Sequence, residues 1–396
     1  MQTNPAMTSA IRMTKAKLHK PQYYTPISSS LYDHRLFHHR KESSTYRNHG
    51  CRCAFDDKRA NVKSRNFLPS NQALSTKITS SDFLSINGNA LSKTCQRQKI
   101  TSSIYQQSPN IIKPYLSLVR FDKPAGTWLL YLPCTWSICL AATPGHFPDL
   151  KMLALFGTGA FIMRGAGCVI NDMWDSDFDK KVDRTAMRPI ASGQLTHAQA
   201  TVFLAGLLSC GLGVLMSLNW YSVFLGAASM GLVVTYPLMK RFTYWPQIFL
   251  GLTFNWGALL GWTAVQGSCD WSVCLPLYTA GILWTLHYDT IYAHQDKVDD
   301  IQVGVKSTAL FMGDRTKMWL TGFSTTMVGC LTMVGLMSEQ CWPYYASLAG
   351  ISTHLAWQIY TVNLDNPTDC FSKFSSNRYL GMVLTTAIIC STLLKT

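Results

Sequence analysis

From about residue 106 onward the chain alternates between long apolar runs and short polar intervals. Runs of spanning length recur at 124–142, 152–171, 200–218, 220–238, 246–265, 273–292, 318–337, 344–362 and 379–394. Each approaches the ~20 apolar residues that carry a helix across a bilayer core at ~1.5 Å rise per residue. Backbone groups in lipid must find their partners within the protein, so helices are the form these runs must take. The pattern predicts an all-α, polytopic membrane protein, a bundle of nine transmembrane helices, with the fourth and ninth the shortest. Glycines such as Gly157, Gly165 and Gly226 let neighbouring helices approach closely.

Residues 1–105 break the pattern. They are rich in Ser, Thr and Asn, and the first hundred carry 17 Lys and Arg against five acids, a net +12. The remainder of the chain is nearly balanced, with 18 basic residues and 16 acids. The basic balance therefore belongs to the head and gives no reason to expect a nucleic-acid partner. Basic, Ser-rich and acid-poor is the composition of a mitochondrial transit segment. Residues 1–105 are read as a transit or disordered segment, and 106–396 as the membrane-embedded catalytic domain. His34, His38 and His39 in the head are read as solvated. Cationic residues also sort the loops. The side that precedes the first span carries Arg120, Lys180, Arg184, Arg188, Lys240, Lys306 and others, while the opposite side has only Lys151 and Lys395. The positive-inside rule places the basic side in the matrix if the protein is mitochondrial, and in the cytosol otherwise. The thirteen cysteines form no Cys-x-x-Cys pair, so they read as free thiols packed as small hydrophobes, without a disulfide framework or zinc site.

Two polar intervals carry more than a solvated loop needs. Asn171-Asp-Met-Trp-Asp-Ser-Asp-Phe-Asp179 follows directly on the second run, with Asp172, Asp175 and Asp179 at i, i+3, i+7. A helix puts those carboxylates on one face, with Cys168 and Arg164 further back on the same stripe, the cation about 10 Å deeper. A second set, Asp289, Tyr292, Asp296 and Asp300, closes the sixth run, again at spacings that share a face. Nine of the chain's 21 acids fall in these two windows (Asp177, Asp183 and Asp299 complete them), too many for surplus acid at helix ends. Crowded carboxylates need a counter-ion. Hard oxygen ligands suit Mg²⁺, which keeps one or two protein carboxylates and fills its shell from substrate phosphates. The first window also resembles the start of an EF-hand loop, but Lys180 stands where Gly is required and Ala186 where the bidentate Glu belongs.

The cations near these windows fit a phosphate ligand. Arg184 and Arg188 follow the first set, Lys306 the second, and Lys240 lies in Tyr236-Pro-Leu-Met-Lys-Arg241. Arg offers a planar fork to phosphate oxygens and Lys a point charge. Lys181 and Arg241 read better as positive-inside ballast. Arg164 lies inside an apolar run, where an ionised group is costly and marks function. Its expected partner is the Asp172/Asp175 face or an anionic group of a substrate. Most aromatics, Trp174 and Trp284 among them, are packing or interface residues. A few that face a cavity would stabilise a cation. Paired membrane carboxylates also suit a divalent-cation transporter, but these acids sit at helix ends beside Lys and Arg, which would repel a permeating cation.

By these same motifs the chain resembles the UbiA superfamily of intramembrane prenyltransferases. The resemblance covers about residues 110–390. It rests on Asn171-Asp-x-x-Asp175-x-x-x-Asp179 with Arg184-Thr-Ala-x-Arg-Pro189, on Tyr236-Pro-x-x-Lys-Arg-x-Thr243, and on Asp289-x-x-Tyr292-Ala-x-x-Asp296-x-x-x-Asp300 with Gly304-x-Lys-Ser-Thr-Ala309. Arg120-Phe-Asp-Lys-Pro124 brings it nearest to members that prenylate 4-hydroxybenzoate in ubiquinone biosynthesis. Met187 departs from the Asn common there, at no metal ligand. The resemblance implies a nine-helix bundle in the inner mitochondrial membrane that transfers a polyprenyl chain from its diphosphate to the ring carbon ortho to the acceptor hydroxyl. It implies that Asp172, Asp175, Asp179, Asp296 and Asp300 hold Mg²⁺, with Asn171 assisting. Arg184, Arg188, Lys240 and Lys306 would neutralise the diphosphate, and Tyr236 and Tyr292 would line the site. Arg120 or Arg164 would hold the acceptor carboxylate, and Asp172, Asp175, Asp296 and Arg164 are the catalytic candidates. Membrane lipid and other ubiquinone-biosynthesis proteins are the expected partners. Cavity shape sets donor and acceptor, so a haem O synthase or a menaquinone- or homogentisate-type transferase remains an open alternative.

Overall fold

The computed structural model describes residues 105–182 and 184–395. The transit reading of the head and its three histidines lie outside them, as does Asp183. Helices occupy every predicted run: α1 (Lys113–Leu118), α2 (Ala125–Leu140), α3 (Leu150–Asp179), α4 (His197–Met216), α5 (Trp220–Phe242), α6 (Pro246–Phe254), α7 (Gly257–Gln266), α8 (Trp271–Ala293), α9 (Lys297–Val303), α10 (Thr308–Met312), α11 (Thr316–Met337), α12 (Trp342–Thr361) and α13 (Pro367–Leu393). Among the described residues, α3, α4, α5, the α6–α7 pair and the α10–α11 pair are five spans long and apolar enough to cross a membrane. The other four runs fall short of that measure. α2 has only 16 residues, and α8, α12 and α13 turn polar side chains such as His287, Gln358 and Asn377 into the bundle. Length and composition thus mark five candidate crossings among the described residues, and the count of nine rests on the sequence pattern.

Two helices expected to be short are long. α5 continues through Lys240 and Arg241 to Phe242, a 23-residue helix. α13 runs for 27 residues from Pro367, where Asn366 accepts a hydrogen bond from the Thr368 amide at 3.0 Å. Its first turns are polar and partly face the bundle, so they carry no apolar signal.

Helix α8 is the axis of the packing. Trp284 stacks at 5.1 Å from both Trp136 of α2 and Tyr288, and its indole N–H donates to Asn377 Oδ1 of α13 at 3.0 Å. The α6–α7 span is broken at Asn255, whose amide donates to the Gly251 carbonyl at 2.8 Å and to Thr285 Oγ1 of α8 at 2.9 Å. Gly281 makes that approach possible, because a Cβ there would collide with the Asn255 side chain. α4, in contrast, buries only Ala200 and leaves the rest of its apolar surface for lipid.

The two acidic windows are built differently. α3 begins at an Asp149 cap, which accepts from the Lys151 and Met152 amides at 2.8 and 3.1 Å, and continues without a break through Asp179. The second set does not share one helix face as predicted. Asp289 and Tyr292 lie on α8, but a 3₁₀ turn at His294–Asp296 intervenes before Asp300 on α9. At three residues per turn, that segment re-aims Asp296 relative to the helix before it.

Candidate active site

The two acidic windows face one chamber of about 290 Å³. Asn171, Asp175 and Asp179 of α3 line one wall; Asp289, Tyr292, Asp296, Asp299 and Asp300 line the other; Arg184, Arg188, Tyr236, Lys240 and Lys306 complete it. The chamber is cross-braced by ion pairs. Arg184 makes a two-pronged contact with Asp296, Nε to Oδ1 at 2.8 Å and Nη2 to Oδ2 at 2.6 Å, joining the loop after the first window to the second. Arg188 donates to Asp179 at 2.8 Å and to Asp172 at 3.2 Å. Lys240 pairs with Asp175. Lys306 donates to the Phe242 carbonyl at 3.2 Å, and its own amide donates to the Lys240 carbonyl at 2.8 Å, which ties the loop after α9 to the end of α5.

Asp172 departs from expectation. It is 1% exposed and is not part of the chamber wall. Both its oxygens accept from Arg120 Nη2 at 2.8 Å, and one also accepts from Arg188. The i, i+3, i+7 stripe is broad enough that its first carboxylate turns towards α1 while the other two face the chamber. Arg120 reaches it from a left-handed backbone, φ 57°, a conformation that non-glycine residues rarely adopt and that costs energy unless the surroundings impose it.

Arg164 does not meet the Asp172/Asp175 face expected of it. Its Nη1 donates to Cys168 Sγ at 2.7 Å, and the guanidinium lies 5.7 Å from the centre of the Phe254 ring. No carboxylate pairs with it among the described residues. Gly126 makes room for it: a Cβ at that position would stand 2.5 Å from Arg164 Nε. Nothing in the sequence singled out Gly126 or Phe254, since both act only through contact across helices. Arg241, read as loop ballast, is structural as well. It donates to the Trp174 carbonyl at 2.8 Å and lies over the Phe178 ring, clamping the end of α5 to the end of α3.

Arg164 borders a second, apolar cavity of about 390 Å³ enclosed by α2, α3, α4, α5, α6 and α7. Its wall includes Met163, Leu208, Met230, Phe254 and Trp256, and Tyr236 lines both cavities. A charged chamber and an apolar one thus adjoin at Tyr236.

Among the described residues no three acidic, His or Cys groups converge tightly enough to cage a metal by themselves. The donors present do suit Mg²⁺ shared with a phosphate ligand. They are hard oxygens on two facing walls, and Asp175 Oδ1 is buried without a hydrogen-bond partner. Burial and the neighbouring Asp296 push the Asp300 carboxyl up to about 6.

The UbiA prenyltransferase family profile matches residues 130–383, which include all the motifs of the chamber. The chain belongs to the UbiA prenyltransferase family. Over 294 residues this UbiA-family chain is 61% identical to the mitochondrial 4-hydroxybenzoate polyprenyltransferase of Homo sapiens, covering 74% of the chain and 79% of that protein. It is 60% identical to the enzyme of the same name from Caenorhabditis elegans, covering 74% and 83%. Two solved structures share the fold. The apo UbiA homologue of Aeropyrum pernix K1 superposes with a TM-score of 0.57 at 21% identity, over 66% of this chain and 97% of that one. The homologue of Archaeoglobus fulgidus bound to GPP and Mg²⁺ gives 0.53 at 19%, over 70% and 99%.

Proposed function

We propose that this protein transfers a polyprenyl chain from polyprenyl diphosphate to the ring carbon ortho to the hydroxyl of 4-hydroxybenzoate, as the names of its relatives describe. The observation that carries the reading is the pair of adjoining cavities. The charged chamber fits a diphosphate and the apolar one fits an isoprenyl tail, with Tyr236 on the wall of both. Mg²⁺ would be held by Asp175, Asp179, Asp296 and Asp300, with Asn171 beside them, and supplies Lewis-acid stabilisation of the leaving diphosphate when bound. Arg184, Arg188, Lys240 and Lys306 meet the diphosphate oxygens as charge builds on them, and fixed charge of this kind is the main source of rate. Asp172 holds Arg120 and Arg188 in place. The rings of Tyr236 and Tyr292 face the allylic cation. Arg164, free of carboxylate partners, takes the carboxylate of the acceptor. The names of the relatives support a mitochondrial location. In the inner membrane, the positive-inside rule turns the Asp windows to the matrix.

Purified protein or membranes supplied with 4-hydroxybenzoate, a polyprenyl diphosphate and Mg²⁺ should form the 3-prenylated product, and EDTA should stop it. Asp175→Ala and Asp296→Ala should each abolish product while the protein stays inserted. Substantial turnover by either variant would refute the assignment of the chamber.

A further inference from the structure

The reacting bond must lie where the two cavities meet. With the diphosphate among the charged residues and the tail in the apolar cavity, C1 of the donor sits beside Tyr236, which borders both. Arg164 lines the apolar cavity and Asp289 the charged one, and Arg164 is a charged neighbour of both Tyr236 and Asp289. Asp289 differs from most acids around it. Asp172, Asp175, Asp179 and Asp296 are each paired with Arg or Lys. Asp299 and Asp300 form no ion pair among the described residues either, but both lie on α9 beyond Asp296, away from Arg164, and Asp300 has Ser307 beside it. Asp289 lines the wall half-buried and has no hydrogen bond or ion pair among the described residues. Its charged neighbours are Arg164 and Asp296, neither within ion-pair distance.

An acceptor with a carboxylate and a hydroxyl at opposite ends of a ring needs two polar groups set apart across the junction. Arg164 suits the carboxylate; the hydroxyl then needs an acceptor of protons that is not committed elsewhere. Resting on the assignment of 4-hydroxybenzoate above, we propose that Asp289 is a catalytic residue that takes the phenolic proton of the acceptor as the new carbon–carbon bond forms.

In this step the C1–O bond of the donor breaks, and its electron pair leaves with the diphosphate. A π pair on the ring carbon ortho to the hydroxyl forms the bond to C1. The O–H bond pair becomes the carbonyl of a neutral dienone as the phenolic proton passes to the Asp289 carboxylate. The proton on the alkylated ring carbon is then lost and the oxygen is reprotonated, restoring the aromatic phenol, with a net release of one proton and one diphosphate. Positive charge never accumulates on the ring, because the hydroxyl gives up its proton while the ring donates electrons. The paired carboxylates cannot serve this purpose without giving up an Arg or Lys.

The test compares wild type with Asp289→Asn on two acceptors, 4-hydroxybenzoate and 3-fluoro-4-hydroxybenzoate, whose phenol is more acidic. The variant should lose about a hundredfold or more in kcat on 4-hydroxybenzoate, the range of a general base, with KM for polyprenyl diphosphate unchanged. The fluorinated acceptor should recover a large part of that loss in the variant and change the wild type little. A variant with near wild-type kcat, an equal deficit on both acceptors, or a loss of donor binding would overturn the proposal. Should the Asn variant fail to insert, Asp289→Glu decides. Turnover with the wild-type response to phenol acidity supports the proposal, and no turnover with donor binding intact overturns it. A wild type that leaves 4-hydroxybenzoate unprenylated fails the acceptor assignment and the proposal with it. A wild type that prenylates it beside an undiminished variant fails the proposal alone.

Discussion

Gly126 and Arg164 show how a residue with no chemistry of its own sets the site. Arg164 keeps its guanidinium at the cavity junction only because Gly126 of α2 has no side chain to meet it. Gly126→Ala places a methyl group against the flexible end of Arg164, which can move at small cost to the fold. The expected result is a rise of about tenfold in KM for 4-hydroxybenzoate, equivalent to ~1.4 kcal/mol of binding, with KM for the donor unchanged. Steady-state kinetics with each substrate varied in turn would check it, and equal rises in both would point to general damage. At this scale the sequence was partly legible. The Asp spacing announced a shared face because carboxylates recur with the helical period. Their partners were hidden, because Arg120 and Asp172 are 52 residues apart and Arg184 and Asp296 are 112 apart. Asp172, expected among the metal ligands, instead pairs with Arg120 and Arg188 off the chamber wall, since spacing gives a face but not which edge of that face meets the cavity.

Helices carry the same lesson. The apolar runs located every long helix but not α1, α9 or α10, and α13 begins well before its apolar part, because the turns from Thr368 to Arg378 are polar and partly packed inward. Hydropathy sees lipid-facing surface and misses helix that is lined by protein. The break at Asn255 was likewise invisible, because an Asn within an apolar run does not reveal that its amide bridges to Thr285. The fit of α6 and α7 against α8 depends on Gly281, where added volume has a buried side chain in front of it. Gly281→Leu should destabilise the detergent-solubilised protein by about 1–3 kcal/mol, the usual cost of overpacking. A thermal-shift assay followed by size-exclusion chromatography would show a lower melting temperature, and an unchanged one would mean that α8 is free to move aside.

For the whole molecule, the two cavities divide the work between charge and apolar surface, and each should be separately adjustable. Gly167 lines the apolar cavity with nothing within 4 Å of an added Cβ, so Gly167→Phe directs bulk into that cavity. The variant should favour short donors such as geranyl diphosphate over long polyprenyl diphosphates, read as a change in the ratio of kcat/KM, while its Mg²⁺ requirement stays the same. Binding at the charged chamber should in turn stabilise the whole bundle, because the chamber joins α3 to α8 and α9. Mg²⁺ together with a non-reactive diphosphate should raise the melting temperature, as any ligand selective for the folded state does, more than either alone. The bracing of Asp296 by Arg184 has a last consequence. These two ions neutralise one another across the chamber. Under the proposed function, a diphosphate that drew Arg184 to itself would release Asp296 to help hold Mg²⁺, and departure of the product anion would let the couple re-form and so favour clearance of the site.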